Sequence, residues 1–347
     1  MRAVVESLEE SRIREVANAG MGLPDVLKFW FGESDEVTPD FIREAAIASL
    51  NAGETFYAHN LGLPELRHAI AGYTHGLHPQ LPTDHWFDRI AVTSGGVNGL
   101  MLASQTLVEA GDEVVVVTPA WPNLVAQPQI MGACVRTVPL TVAPTGAWVL
   151  DLDALLAAVT PATRMLIVNA PNNPTGWTLR RDEQAVILAH CRRTGTWILA
   201  DEVYERLYFA GDTANGAAPS FLDVAEPEDR LIVAHSFSKS FLMTGWRLGW
   251  LVLPTALTHP VGKLIEMPGV QLAEPRGGMY AFFRLEGQAD CLLTAKRLVR
   301  EAGLGLAPGS AFGPEAAGWL RWCFASRDPQ RLAQGAERLR RWLAHPG

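Results

Sequence analysis

"MLIVNAPNNPTGWTLRRDEQAVILAHCRRTGTWILADE", residues 165–202, contains one whole folding unit. Met165–Val168 and Trp197–Ala200 are apolar at consecutive positions. A strand with one wet face alternates apolar and polar residues; a strand covered on both faces does not. Between the two runs, "RRDEQAVILAHCRRTG" has helical spacing and closes on Gly195. Strand, helix and strand in that order predict a parallel pair joined by a crossover helix. The unit recurs from about residue 89 in "RIAVTS", "EVVVVTP", "RLIVAHS" and "RLGWLVLP", with a further helix over "GVNGLMLASQTLVEAG" closing at Gly111. The prediction is an α/β domain built on a mostly parallel sheet covered by helices.

Beyond residue 275 the pattern changes. "GGMYAFFRL", a helix over Asp290–Ala302, "GWLRWCFAS" and a last helix from about Asp328 read as a smaller α+β domain. The expected boundaries are 41–262 for the large domain, with 1–40 and 263–347 forming the small one from the two chain ends. At 347 residues, two domains are the default.

Net charge −8 and the lack of any Lys/Arg cluster argue against a nucleic-acid surface, which needs basic groups to displace phosphate counterions. No apolar run reaches the roughly twenty residues that span a bilayer. "MRAVVESLEESRIREV" lacks the apolar core of a signal peptide. Cys134, Cys191, Cys291 and Cys323 are far apart without a CxxC pair, so neither a metal site nor a disulfide framework is expected, and a reducing cytoplasm fits. A small-molecule partner is the remaining class.

In such a sheet, ligands gather at the carboxyl ends of the strands. Ser94, Gly95 and Gly96 follow "IAVT" and open a helix, whose bare N–H groups suit an anion. Taken alone, a glycine pair there is commonly just a tight turn. Ser236, Ser238 and Arg247, in "HSFSKSFLMTGWRLGW", add hydroxyls and a fork-shaped cation, a second phosphate-like half-site. Asp201 follows "WILA". Its bland role is a helix cap, and its specific one is to pair with a protonated heteroaromatic nitrogen. Trp121 reads as core or as a stacking surface for a planar ring. Asn173 and Tyr204 read as turn and core residues, or as donors to a phenolate. Lys239 sits among hydroxyls at a strand end, near Arg247, and can form an imine. One ligand accounts for all of these groups together, pyridoxal 5'-phosphate.

The motifs "NAPNNPTG", "ADEVYERL", "SFSKSFLMTGWRLGW", "FYAHNLGLPELRHAI" and "PGSAFG" resemble, in order, the signatures of class I/II aminotransferases of the aspartate aminotransferase superfamily, with fold type I. The resemblance implies a mostly parallel seven-stranded sheet and a pyridoxal phosphate cofactor. It implies a ping-pong transfer of an amino group from an L-amino acid to a 2-oxo acid. Lys239 would be the imine-forming catalytic lysine and Asp201 the partner of the pyridine nitrogen. Asn173 and Tyr204 would bind the ring oxygen, and Trp121 would stack on the ring. Gly95, Gly96, Ser236, Ser238 and Arg247 would hold the phosphate. Tyr57 would reach the phosphate of a neighbouring subunit, so a homodimer is implied. Arg321, with Gly32 and Asn173 nearby, would bind the substrate α-carboxylate. Thr118–Pro119 and Asn173–Pro174 would be cis.

The same residues would also serve a lyase of this fold or a non-catalytic cofactor-binding paralogue. A regulator would carry a helix-turn-helix unit, for which the first forty residues are too few and too acidic. After Pro254 the family runs through a long helical stretch. Here "TALTHPVGKLIEMPGVQLAEPRGGMY" has room for one short helix. The expectation is retained cofactor binding with weakened domain coupling, low transamination and an altered dimer.

Overall fold

The computed structural model describes residues 3–8, 12–24, 26–27, 29–79, 81, 86–209, 215–258, 280–285, 288–312, 316, 318–323 and 329–344. Contacts divide the chain into two units, residues 1–269 and 270–347. The short connection expected after Pro254 falls largely in 259–279, outside the described residues.

In the first unit the strands are β1 (Ile90–Thr93), β2 (Glu113–Thr118), β3 (Cys134–Pro139), β4 (Thr141–Val142), β5 (Trp148–Val149), β6 (Thr163–Asn169), β7 (Trp197–Asp201), β8 (Leu231–Ser236) and β9 (Gly249–Val252). Its helices are α1 (Ala3–Glu6), α2 (Arg12–Ala19), α3 (Asp40–Asn51), α4 (Pro64–Leu77), α5 (Gly96–Leu107), α6 (Asn123–Ile130), α7 (Leu152–Ala158) and α8 (Arg181–Thr194). Seven strands form one sheet in the order β1-β9-β8-β7-β6-β2-β3, and β4 pairs with β5 in a small hairpin. The five strands from β3 to β8 are parallel, and β9 runs antiparallel to both neighbours. This is the mostly parallel seven-stranded sheet expected.

The consecutive apolar runs bury alternate residues on opposite faces. Val115, Val117, Leu166, Val168, Ile198 and Val233 join one core with Ile187, Leu188 and Cys191 of α8. Val114, Val116, Met165, Ile167, Leu199 and Ile232 join the other with Leu100, Ala103 and Leu107 of α5. The crossover helix α8 ends at Gly195, left-handed at φ 75, as its glycine predicts. Helix α5 instead stops at Leu107, because Val108 turns extended; Gly111, φ 93, lies in the turn beyond. Register aligns the strand ends, with Asn169 opposite Asp201 and Asp201 opposite Ala234. The polar residues that end these runs therefore share one edge.

Residues 1–40, expected with the smaller domain, fall in the first unit. Hydrogen bonds tie them to its strand-end loops. Thr38 Oγ1 donates to Leu242 O at 2.5 Å, the Trp246 indole N–H donates to Thr38 Oγ1 at 3.0 Å, and Lys239 Nζ donates to Gly32 O.

The second unit holds β10 (Tyr280–Arg284), α9 (Cys291–Ala302), β11 (Ala307–Pro308), β12 (Trp319–Cys323) and α10 (Pro329–Ala344). Its sheet runs β10-β12-β11, all antiparallel, over a small core of Leu285, Cys291, Ala295, Leu298, Leu320 and Trp342. The α+β expectation for this part describes it.

Candidate active site

A cleft of about 400 Å3 opens at the carboxyl edge of the first unit's sheet. Its walls include Gly32, Gly96, Trp121, Asn173, Asp201, Tyr204, Ser236, Ser238, Lys239 and Arg247. Residues far apart in sequence meet there because each ends a strand or follows one.

The floor is the segment after β7. Asp201 is 3% exposed, and its one side-chain hydrogen bond among the described residues is a long one, 3.4 Å from the Val203 N–H. Burial pushes its carboxyl up to about 7, while that N–H and Lys239 pull the other way. Among the described residues Asp201 has no cationic side chain within ion-pair distance. Asn169 fastens the neighbouring loop: its side chain donates to Asp201 O at 2.9 Å and accepts from the Asn173 N–H at 2.7 Å. Asn172 holds the turn of "NNPTG", accepting from Thr175 N–H at 3.1 Å and Thr175 Oγ1 at 2.8 Å. Thr118–Pro119 and Asn173–Pro174 are cis as expected, and Ala170–Pro171 is cis as well. Asn173 Nδ2 donates to the Tyr204 hydroxyl at 3.5 Å. Burial and Asp201 raise the Tyr204 pKa, and Asn173 opposes them.

Lys239 lies in the loop after β8, with Nζ 5.8 Å from the centre of the Tyr204 ring. Burial lowers its pKa; Glu33 and Asp201 oppose this, and Arg247 adds to it. A lysine with its charge disfavoured is a better amine nucleophile.

Opposite the lysine is a seat lined by backbone. Helix α5 begins at Gly95, φ 87, with no side-chain cap on its N-terminus. A Cβ on Gly95 would stand 2.6 Å from Arg247 Nη2. On Gly249 it would meet His235 O at 2.7 Å and Gly96 N at 2.8 Å. The Ser238 N–H donates to Ser236 Oγ at 3.1 Å, and Arg247, itself left-handed at φ 55, donates to Thr244 O at 2.8 Å. A bare helix N-terminus, two hydroxyls and a guanidinium together suit a small dianion. Trp121 packs partly on the core and partly lines the cleft.

Two sequence-predicted residues of the first unit, Gly95 and Tyr57, do not line this cleft. Tyr57 is fully exposed. Arg321 lies in β12 of the second unit, its guanidinium 4.8 Å from the centre of the Phe312 ring. Conversely, Asn169, Glu33, Thr244 and the Arg14–Phe31 pair line the cleft without having been singled out in sequence. Asn169 could have been found, as the last residue of an apolar strand ahead of two prolines.

Residues 24–266 match the family model for aminotransferase class I and II. The chain belongs to that family. Among curated relatives, the probable aspartate/prephenate aminotransferase of Aquifex aeolicus is 31% identical, covering 92% of this chain and 91% of its own length. The aspartate aminotransferase of Pyrococcus horikoshii is 28% identical, covering 97% of this chain and 95% of its own. That alignment spans 384 positions against a chain of 347 residues, so the relative carries residues absent here. The arginine–pyruvate transaminase of Pseudomonas aeruginosa is 30% identical over 91% of this chain and 88% of its own. Among solved structures, the aspartate aminotransferase of Thermotoga maritima superposes with a TM-score of 0.69 at 27% identity, over 99% of this chain and 100% of its own. Aminotransferases of this family depend in general on pyridoxal phosphate, and the chain is a transaminase by family. No described helix is long and apolar enough to cross a membrane.

Proposed function

We propose that the protein is a pyridoxal phosphate-dependent aminotransferase that moves an amino group from an L-amino acid to a 2-oxo acid in two half-reactions. The observation that carries this is the meeting of Lys239, buried Asp201, the Asn173–Tyr204 pair and the glycine-lined start of α5 in one cleft. The cofactor fits this site on two counts. Among the described residues Asp201 is buried without a cationic partner in contact, a want that a protonated ring nitrogen would answer. At Gly95, left-handed at φ 87, and at Gly249 a side chain would crowd Arg247 and the backbone of His235 and Gly96, where a phosphate would lie against backbone N–H groups.

When bound, the cofactor supplies an electron sink for the bond broken at the substrate Cα. The chain's residues supply the rest. Asp201 would pair with the ring nitrogen. Asn173 and Tyr204 would donate to the ring oxygen, and Trp121 would cover the ring face. Gly95, Gly96, Ser236, Ser238 and Arg247 would grip the phosphate. Lys239 Nζ would be the amine that holds the group and the base that would move a proton at the substrate Cα. Gly32, which already accepts from Lys239, faces the incoming amino acid. Arg321 takes the α-carboxylate, a role supported by its motif "WLRWCFAS".

The relatives are named for donors that range from aspartate to arginine, so the donor is left to a panel. A homodimer in which Tyr57 crosses to its partner's phosphate completes the reading. Supporting it, α3 buries none of its residues, with Phe41 and Leu50 exposed on it and Phe56 and Tyr57 exposed beyond it.

The test is a visible absorbance spectrum of the purified protein titrated with L-amino acids, then borohydride fixation and peptide mapping. Conversion of the cofactor band by an amino acid and its recovery by a 2-oxo acid are expected, with the label on Lys239. A label on Lys263 or Lys296 overturns the assignment. Release of ammonia without recovery by oxo acids overturns transfer in favour of elimination.

A further inference from the structure

A second polar layer lies behind the segment that carries Asp201 and Tyr204. Of residues 201–205, Asp201 and Tyr204 line the cleft, whereas Glu202 and Glu205 do not and are 2% and 5% exposed. Glu202 is used locally, its two oxygens accepting from Ser220 Oγ at 2.5 Å and the Phe221 N–H at 2.9 Å. Glu205 faces two imidazoles: His78 Nε2 at 3.5 Å and His235 Nδ1 at 3.7 Å. His78 is 2% exposed and caps the end of α4. Its other nitrogen, Nδ1, is 2.7 Å from Asp223 Oδ1. Asp223 is held in turn by Arg181 of α8 at 3.1 Å and by the Ser220 N–H at 3.2 Å. His235 immediately precedes Ser236 and stacks on Trp250, with ring centres 4.9 Å apart.

Burial opposes a charge on His78, but Asp223 and Glu205 outweigh it and raise its pKa to about 10. Burial likewise opposes charge on Glu205, yet His235, His78 and Arg206 hold its carboxyl below the usual range. Burial lowers the pKa of His235, and Glu205 opposes this. His78 is therefore a buried imidazolium donating to two carboxylates, one of them beside Tyr204. Glu202, Glu205 and His235 do place three ligand-type atoms within 4.8 Å of one another. Both oxygens of Glu202 already accept a hydrogen bond, from Ser220 and Phe221, and Glu205 faces the His78 cation, so the cluster reads as a charge network.

We propose that His78 is a positioning residue for the cofactor site, clamping Glu205 and Asp223 so that the turn after β7 presents Tyr204 toward Asn173 and the ring oxygen. The proposal rests on reading the cleft as the cofactor site. It connects the end of α4, the 220–223 turn and the start of the lysine loop to one phenol. Loss of the imidazolium leaves two buried carboxylates without their shared donor, a situation costly enough to displace the turn.

A purely structural histidine would lower stability and leave the loaded site unchanged. The discriminating readout is the pH midpoint of the visible band in protein saturated with pyridoxal phosphate. A donor lost from the ring oxygen leaves that oxygen holding the neighbouring proton more tightly, so the midpoint rises. His78→Gln is expected to raise it by about one pH unit and to weaken cofactor affinity about tenfold. Tyr204→Phe is expected to raise it too, and adding His78→Gln to Tyr204→Phe is expected to shift it no further, since both act on the same donor. If His78→Gln does not fold, Glu205→Gln keeps a hydrogen-bond partner for His78 and is expected to give a smaller rise. A midpoint unchanged in the foldable variant, or a full additional shift in the Tyr204→Phe background, overturns the positioning role. Absence of any visible band in the unsubstituted protein overturns the cofactor reading itself, and with it this proposal.

Discussion

Asp201 shows what a single residue must do in this cleft: remain dry, lack a cation in contact without cofactor, and still be tolerated by the fold. Its pKa of about 7 in the folded state lies above the ordinary 3.8. A raised pKa means that the folded state favours the protonated carboxyl, so this group's contribution to stability is full below about pH 4 and is lost as pH rises through about 7. Asparagine does not titrate. In cofactor-free protein, Asp201→Asn is therefore expected to raise Tm at pH 8, with the gain vanishing toward pH 4. At about 1.4 kcal/mol per pKa unit, the upper bound of the gain is about 4 kcal/mol. The same substitution should slow the half-reaction with amino acid by about a hundredfold or more, because the ring nitrogen loses its counter-charge. A pH-independent Tm difference together with normal turnover would reduce Asp201 to a cap. Much of the site at this scale was legible in sequence, because a charged residue ending an apolar strand is conspicuous. Asp201 and Lys239 stood out in that way. Glu33 did not, since only the return of the N-terminal segment to the lysine loop brings it near Lys239. Nor did Gly249, whose importance comes from a neighbouring strand that sequence does not place.

At the scale of elements, β8, β9 and the start of α5 meet so closely that backbone forms the seat. The atoms nearest a Cβ on Gly249 are backbone atoms of His235, Gly95 and Gly96, which have no flexible end to yield. Gly249→Ala is accordingly expected to cost about 1–3 kcal/mol, as overpacking does, and to weaken cofactor binding by pushing β9 from α5. Chemical denaturation and a cofactor titration check this; an alanine variant matching the parent in both would mean that the seat has slack. The strands buried on both faces were readable from consecutive apolar residues. Edge strand β3 was not, because it pairs only with β2 and exposes the consecutive polar residues Arg136 and Thr137, which interrupt the apolar run. Helix α6 was hidden for another reason, since it carries Pro128 inside its eight residues. The end of α5 was misplaced because glycine marks where a helix can stop, whereas here extended Val108 stops it first.

For the whole molecule, the groups proposed to hold the cofactor, from Gly95 to Arg247, lie in the first unit, whereas Arg321 lies in the second. The shortened run after Pro254 should therefore spare cofactor capture and weaken turnover, seen as near-stoichiometric bound cofactor with a low kcat. Tyr57 raises a sharper question, because it is fully exposed on the protomer whose cleft it does not line. If it serves a partner's phosphate, a two-fold dimer has two equivalent sites, each built from one subunit's Lys239 and the other's Tyr57. A dimer mixing Lys239→Ala with Tyr57→Ala subunits then has one site with both lesions and one with neither. Random exchange makes half of the dimers mixed, so about one site in four should be intact. Both parent variants should be nearly inactive, and activity should reappear on mixing, rising with the time allowed for exchange. A tyrosine acting within its own subunit predicts the opposite, since each site in the mixed dimer would keep one lesion. No recovery from a mixture whose exchange is verified by mass would therefore remove Tyr57 from the neighbouring site.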